Sequence, residues 1–177
     1  MELRKCKCGN EFEPIYRNGI LVSKLCYSCI VKKSNAKRLS NARKEKKECL
    51  ERLKTHSDYL RELQAYFNKY IRLRDYGKPC ISCGGNLGSK YDAGHFYSVG
   101  SSPNLRFNEY NVHAQCVHCN QHLHGNLILY SEQLPLRIGV DMFETLKSIR
   151  NIPLKLTTAE IKEQISYYKL KIKDLSK

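Results

Sequence analysis

Cys80 to Asn120 reads CISCGGNLGSKYDAGHFYSVGSSPNLRFNEYNVHAQCVHCN, and the two CxxC pairs near its ends, Cys80 with Cys83 and Cys116 with Cys119, decide the fold around it. Each pair can wrap a metal ion from a tight turn. Joining two such turns encloses the 32 residues 84–115 within one tetrahedral site of four thiolates, the donor set of structural zinc. A four-thiolate site has no open coordination position, so this zinc braces the fold and any chemistry lies in the enclosed segment. Five of the six histidines fall between positions 95 and 124. A hairpin made of Tyr91 to Phe96 and Leu105 to Phe107, followed by a helix that begins near Asn111 or Cys116, would be a ββα unit that points several of these side chains at one locus.

Upstream, Cys6, Cys8, Cys26 and Cys29 surround EFEPIYRNGILVSK, a short hairpin with its turn at Asn18-Gly19. This is a second zinc cluster by spacing, a ribbon or knuckle within residues 1–30, although the CxC at Cys6 and Cys8 is tighter than the usual gap. The alternative is a set of buried thiols. Cys49 is the odd thiol of nine. The charged start, MELRKCKCGNEFEP, lacks the apolar run of a signal peptide, and no later stretch approaches a membrane span. The chain therefore reads as cytoplasmic, where paired cysteines hold metal more often than they form disulfides.

Residues 31–76 form a helical region in two parts. Val31 to Arg52 is dominated by Lys, Arg and Glu, with too few apolar residues to bury a face, so it is a solvated helix or a basic linker. From Ser57, the expected N-cap, to Tyr76 the residues Leu60, Leu63, Phe67, Tyr70 and Ile71 recur at three and four and predict an amphipathic helix. Past the core at 77–130, residues 131–177 hold two more helical stretches, Glu132 to Arg150 and Thr158 to Leu175. The second has a capping box at Thr157 and Glu160 and an apolar stripe that packs on the central helix.

Thirty-one Lys and Arg against seventeen Asp and Glu give a formal charge of +14, which points to nucleic acid as the partner. Lys37, Arg38, Arg43, Lys44, Lys46 and Lys47 are the densest basic stretch, with Lys90 and Arg106 beside the hairpin. Such cations position a phosphate backbone without reading its sequence. A membrane surface fits poorly without an apolar anchor.

The motifs DAGHF, LRFNEYNVHAQC and CVHCNQH together resemble the HNH family, the ββα-metal nucleases, and more narrowly the NinG and Rap recombination endonucleases of lambda-like phages. The detailed resemblance covers Cys80 to Tyr130. It implies an α+β protein with a zinc-braced HNH-like core, acting in the host cytoplasm as an endonuclease on branched recombination intermediates such as D-loops and Holliday junctions. It further implies His95 as the general base, Asn111 as the residue that orients it by hydrogen bonding, and Asp92 and Asn120 as ligands of a catalytic cation. A neutral imidazole accepts a proton near pH 7, and oxygen ligands suit Mg2+ or Mn2+, apart from the two structural zinc ions. Two departures stand out. Gly94 precedes the base where many members carry Asp or His, so Asp92 converges with His95 only through a bulge or bend at Gly94. Asn120 follows the last cysteine where many have His, as in phage resolvases.

His122 and His124 are further cation ligands, but two residues apart on a helix they diverge by about 200°, so only one should face the metal. Asn120 and His124 share helical spacing if Gly125 does not end the helix first. His113 and His118 read as packing beside the zinc cluster. Two rival functions are a non-catalytic zinc-ribbon DNA-binding protein and a sequence-specific HNH endonuclease. The amphipathic helix at 57–76 also offers a face for a homodimer across a two-fold axis.

Overall fold

The computed structural model describes residues 2–176, which divide into two compact units between Lys54 and Thr55. The division falls inside the helical region 31–76 rather than at either of its ends.

The first unit opens with two minimal antiparallel hairpins, β1 (Arg4–Lys5) with β2 (Glu11–Phe12) and β3 (Tyr16–Arg17) with β4 (Ile20–Leu21). The turn of the second is the expected Asn18-Gly19, both residues left-handed at φ 51° and 75°, as a two-residue hairpin turn requires. Cys26 then caps α1 (Tyr27–Arg52), which buries none of its residues and is a solvated helix.

In the second unit α2 (His56–Arg74) starts two residues earlier than the sequence suggests. Thr55 is its cap, in a reciprocal capping box with Asp58. A long connection leads to β5 (Tyr91–His95), which pairs antiparallel with β6 (Val112–Cys116) in unbroken register from Tyr91 opposite Cys116 to His95 opposite Val112. The second strand is thus Val112–Cys116. Leu105 to Phe107, expected as that strand, instead lies at a single 3-10 turn over Pro103–Leu105 in the loop between the strands. Of the two expected helix starts, near Asn111 or near Cys116, the second is met only by one wide helical turn, His118–His122, which precedes α3 (Leu127–Ile138). Gly139 at φ 88° separates α3 from α4 (Val140–Ile149), dividing the stretch expected as one helix. The chain ends in α5 (Thr158–Leu175), capped by Thr157 and Glu160 as predicted.

Tyr59, Leu63, Phe67, Tyr70 and Ile71 of α2 pack with Ile161, Ile165, Tyr168 and Ile172 of α5 and with Val112 of the hairpin. The α2 stripe packs within the chain, against α5 and the hairpin. Ile81, Leu105, Tyr130, Leu134, Phe143 and Leu146 make a second core under the loop. Asp75, fully buried, ties α2 to the hairpin by accepting from Arg74 at 2.8 Å, Lys78 at 2.9 Å and the Ala114 N–H at 3.0 Å. Burial pushes its carboxyl up, but these donors outweigh it and hold the group well below the carboxylate range.

Candidate metal and catalytic site

Both cysteine clusters assemble. In each, the four sulfurs lie within 4.8 Å of one another. Cys8 Sγ is 3.5 Å from Cys26 Sγ, and Cys83 Sγ is 4.0 Å from Cys116 Sγ. A tetrahedron with Zn–S arms of about 2.3 Å has edges of roughly 3.8 Å, so both donor sets fit zinc. The tight CxC is accommodated by a turn in which the Gly9 N–H donates to the Cys6 carbonyl at 2.9 Å, Gly9 being left-handed at φ 93°. In the second cluster, the Cys116 N–H donates to Cys80 Sγ, the Cys119 N–H to Cys116 Sγ and Asn126 Nδ2 to Cys119 Sγ, each at 3.4 Å. Donors aimed at sulfur stabilise the thiolate form that a metal needs.

The turns of the second cysteine cluster clamp the hairpin that carries His95. Its Nε2 lies 3.0 Å from the Arg106 carbonyl oxygen, a group that only accepts. That nitrogen therefore carries the ring proton, and Nδ1 is left with a free lone pair. Burial lowers the His95 pKa below its ordinary 6.5, outweighing the carbonyl, which favours the cation. The carbonyl is fixed in turn, because Arg106 Nε donates to Gln64 Oε1 on α2 at 2.7 Å and the guanidinium lies 5.1 Å above the Phe107 ring. Arg106 thus holds the His95 imidazole through its backbone, while its side chain faces a different cavity, shared with Lys155 and Gln164.

Asn111 is fully buried, and its hydrogen bonds go to the loop backbone rather than to the imidazole. Its Oδ1 accepts the Tyr97 N–H at 2.8 Å, and its Nδ2 reaches the carbonyls of Tyr97 at 3.0 Å and Leu105 at 3.1 Å. It holds both ends of the loop that brings the Arg106 carbonyl back to His95.

The four expected cation ligands do not form one cluster. Among the described residues, the groups of three or more His, Cys, Asp or Glu side chains close enough to share a metal are the two cysteine sets. Asp92 Oδ2 accepts from Asn120 Nδ2 at 2.9 Å and Gln121 Nε2 at 2.7 Å, so Asp92 and Asn120 do meet. Because a carboxylate only accepts, Asn120 presents its amide nitrogen to Asp92 and keeps Oδ1 for another partner. The unbroken register excludes a bulge at Gly94 and leaves Asp92 and His95 on opposite faces of β5. Gly94 is required for a different reason. A Cβ there would sit 2.1 Å from Gln115 Oε1, since the buried Gln115 side chain crosses Gly94 to donate to Ser82 Oγ at 2.6 Å and the Gly125 carbonyl at 2.5 Å.

His124 lines one cavity of about 560 Å³ with His95, Phe96 and Tyr97, floored by the exposed Leu127 and Ile128. It arrives there through a kink, not along a helix: His124, Gly125 and Asn126 are all left-handed, at φ 47°, 90° and 42°. His122 does not line that cavity, and its ring lies tilted against His118 at 5.9 Å between centroids. His113 does not pack on the zinc cluster. It is buried 3.4 Å from the Tyr130 hydroxyl, and burial, aided by the Arg74 charge, pushes its pKa down to about 3. Lys90 lies across β5 beside Asp92. Lys37, Arg38, Arg43, Lys44, Lys46 and Lys47 are all exposed on α1.

Sequence reasoning did not find Gln64, Gln115 or Tyr130, whose hydroxyl donates to the Gly94 carbonyl at 3.1 Å. Gly94 was the signal for Gln115: a glycine inside a strand marks a close approach. Nothing in the sequence marked the other two.

These features define a class: a two-unit α+β protein with one four-cysteine cluster in each unit and no described helix long and apolar enough to cross a membrane. The chain belongs to the NinG family, whose model, described as "Bacteriophage Lambda NinG protein", matches residues 1–177. It is 42% identical over 123 residues to protein ninG of Escherichia phage lambda and to that of Salmonella phage P22, and 41% identical to that of Escherichia phage 933W. The matched stretch is 70% of this chain but only 60 to 61% of those relatives. No solved structure matches the chain.

Proposed function

We propose that this protein is a metal-dependent DNA endonuclease of the HNH kind, hydrolysing phosphodiester bonds in branched DNA with His95 as general base. The observation that carries this reading is the state of His95. Its Nε2 proton is committed to the Arg106 carbonyl and burial keeps the ring neutral, so Nδ1 is poised to take a proton from water in a cavity it shares with His124. Gln64 and Asn111 fix the loop that supplies the carbonyl, and the zinc-braced strands fix the imidazole.

Asn120 Oδ1 and the second oxygen of Asp92 are hard donors that suit Mg2+ or Mn2+ but meet across β5 from His95, so the donor to a cation in the His95 cavity would be His124 on its wall. Bound there, such an ion would stabilise charge developing on the scissile phosphate. Asp92 also orients Asn120. The net charge of +14 supports DNA as partner, and the resemblance of the motifs to recombination endonucleases supports branched intermediates as substrate.

The test compares a Holliday junction, a D-loop and a linear duplex of matched sequence with Mg2+, Mn2+ or Ni2+. Wild type should cut the branched substrates first. His95→Ala should lower the rate by about 10²-fold or more with binding retained. Binding without cutting in all three metals sinks the proposal in favour of a zinc-ribbon DNA-binding protein. One preferred sequence in linear DNA would identify a sequence-specific enzyme instead.

A further inference from the structure

Lys69 and Arg72 stand three residues apart on α2 and face Ser89 and Lys90, which lead into β5. With Tyr91 and Asp92 they line a groove of about 580 Å³. Six other cations of this unit have a carboxylate partner: Arg61 with Asp58, Arg74 and Lys78 with Asp75, Lys147 with Glu144, Lys169 with Glu62 and Lys171 with Glu109. Lys69, Arg72 and Lys90 have no carboxylate partner among the described residues. The acid beside them, Asp92, is engaged by the amides of Asn120 and Gln121. Like charges at this helical spacing repel and cost stability. The groove is also held in shape, since the Tyr91 hydroxyl donates to the Arg72 carbonyl at 2.9 Å and so ties strand to helix.

We propose that this groove seats the sugar–phosphate backbone of a DNA strand, with Lys69, Arg72 and Lys90 binding its phosphates. A polyanion is the partner that supplies three counter-charges at once, and backbone interactions of this type position a strand without reading it. The inference rests on the DNA-binding part of the preceding proposal and not on cleavage.

The test is the salt dependence of duplex binding by the full chain, read by fluorescence anisotropy. Removing one cation that neutralises a phosphate lowers the slope of log K against log salt by roughly 0.9. The triple variant K69Q/R72Q/K90Q should therefore bind more weakly with a slope smaller by about two to three, and K90Q alone, on an exposed loop, by about one. R61Q/K147Q/K169Q removes the same net charge at neutralised positions and should change the slope far less. A groove triple with the wild-type slope, a control triple with an equal loss, or wild-type binding indifferent to salt would each overturn the proposal. Expected slopes together with no cutting would leave the groove standing and remove the nuclease.

Discussion

In the unit through Lys54 the only buried residues among those described are Cys6 and Cys26, and its hairpins are two residues per strand. The unit from Thr55 carries its cluster beside apolar cores that bury Leu63, Phe67, Ile71, Tyr130 and Leu146 almost completely. Four cysteines thus do two different jobs. A module too small to bury a core depends on a staple for its whole stability. In the larger unit, helix packing already supplies stability, and the cluster adds local precision by closing the Tyr91–Cys116 end of the hairpin, opposite the end that carries His95.

Metal removal should separate the two most. With a strong chelator, the full chain should go from about two zinc ions to none. NMR signals of residues 4–21 should collapse to those of an unfolded segment, since the apparent zinc free energy of such modules is about 10 kcal/mol or more. Amides of α2 and α5 should keep their exchange protection. Cys26→Ser should lose one zinc and the first unit alone. Cys119→Ser should lose the other zinc and loosen the turn at 124–126, which Asn126 anchors to that sulfur. Persistent protection at residues 4–21 in the metal-free chain would break the contrast.

The same division governs what could be read from the residues. Features set by neighbours were legible: both cysteine sets, the Asn18-Gly19 turn, the Thr157–Glu160 box and the apolar stripes of α2 and α5. The second strand was not, because Val112–Cys116 alternates apolar with polar residues that are buried only thanks to distant partners. His113 meets Tyr130, and Gln115 meets Ser82 and Gly125. Arg106 drew attention for its charge, yet it serves His95 through its carbonyl, which every residue possesses. The path of His124 depends on three successive left-handed residues that no periodicity announces.

Packing in the second unit can be probed without touching metal. Gly94→Ala places a Cβ 2.1 Å from Gln115 Oε1 and 3.0 Å from Gln115 Cβ, a backbone position and a side chain both fixed by hydrogen bonds. The expected loss is about 1–3 kcal/mol, seen as a lower unfolding midpoint for the second unit with zinc content unchanged. The first unit should not respond. Gly94→Ala with Gln115→Ala should cost less than the sum of the two singles, since the clash is between those two residues. Strict additivity would mean that the glycine answers to something else.

The smallest effect is a pH dependence confined to the second unit. His113 is buried neutral with a pKa near 3 against an ordinary 6.5, and burial shifts His95 in the same direction. Below pH 6.5 the unfolded chain takes up protons that the folded chain refuses. This contribution to stability is therefore complete above 6.5 and is lost progressively as pH falls towards 3, at no more than about 1.4 kcal/mol per pH unit for each histidine. The first unit contains no histidine, so its acid response comes from its thiolate ligands and follows zinc release. Urea unfolding with excess zinc between pH 7 and 5 should show the second unit weakening on acidification, and His113→Gln should flatten the slope. An unchanged slope in that variant would show that His113 does not titrate across unfolding.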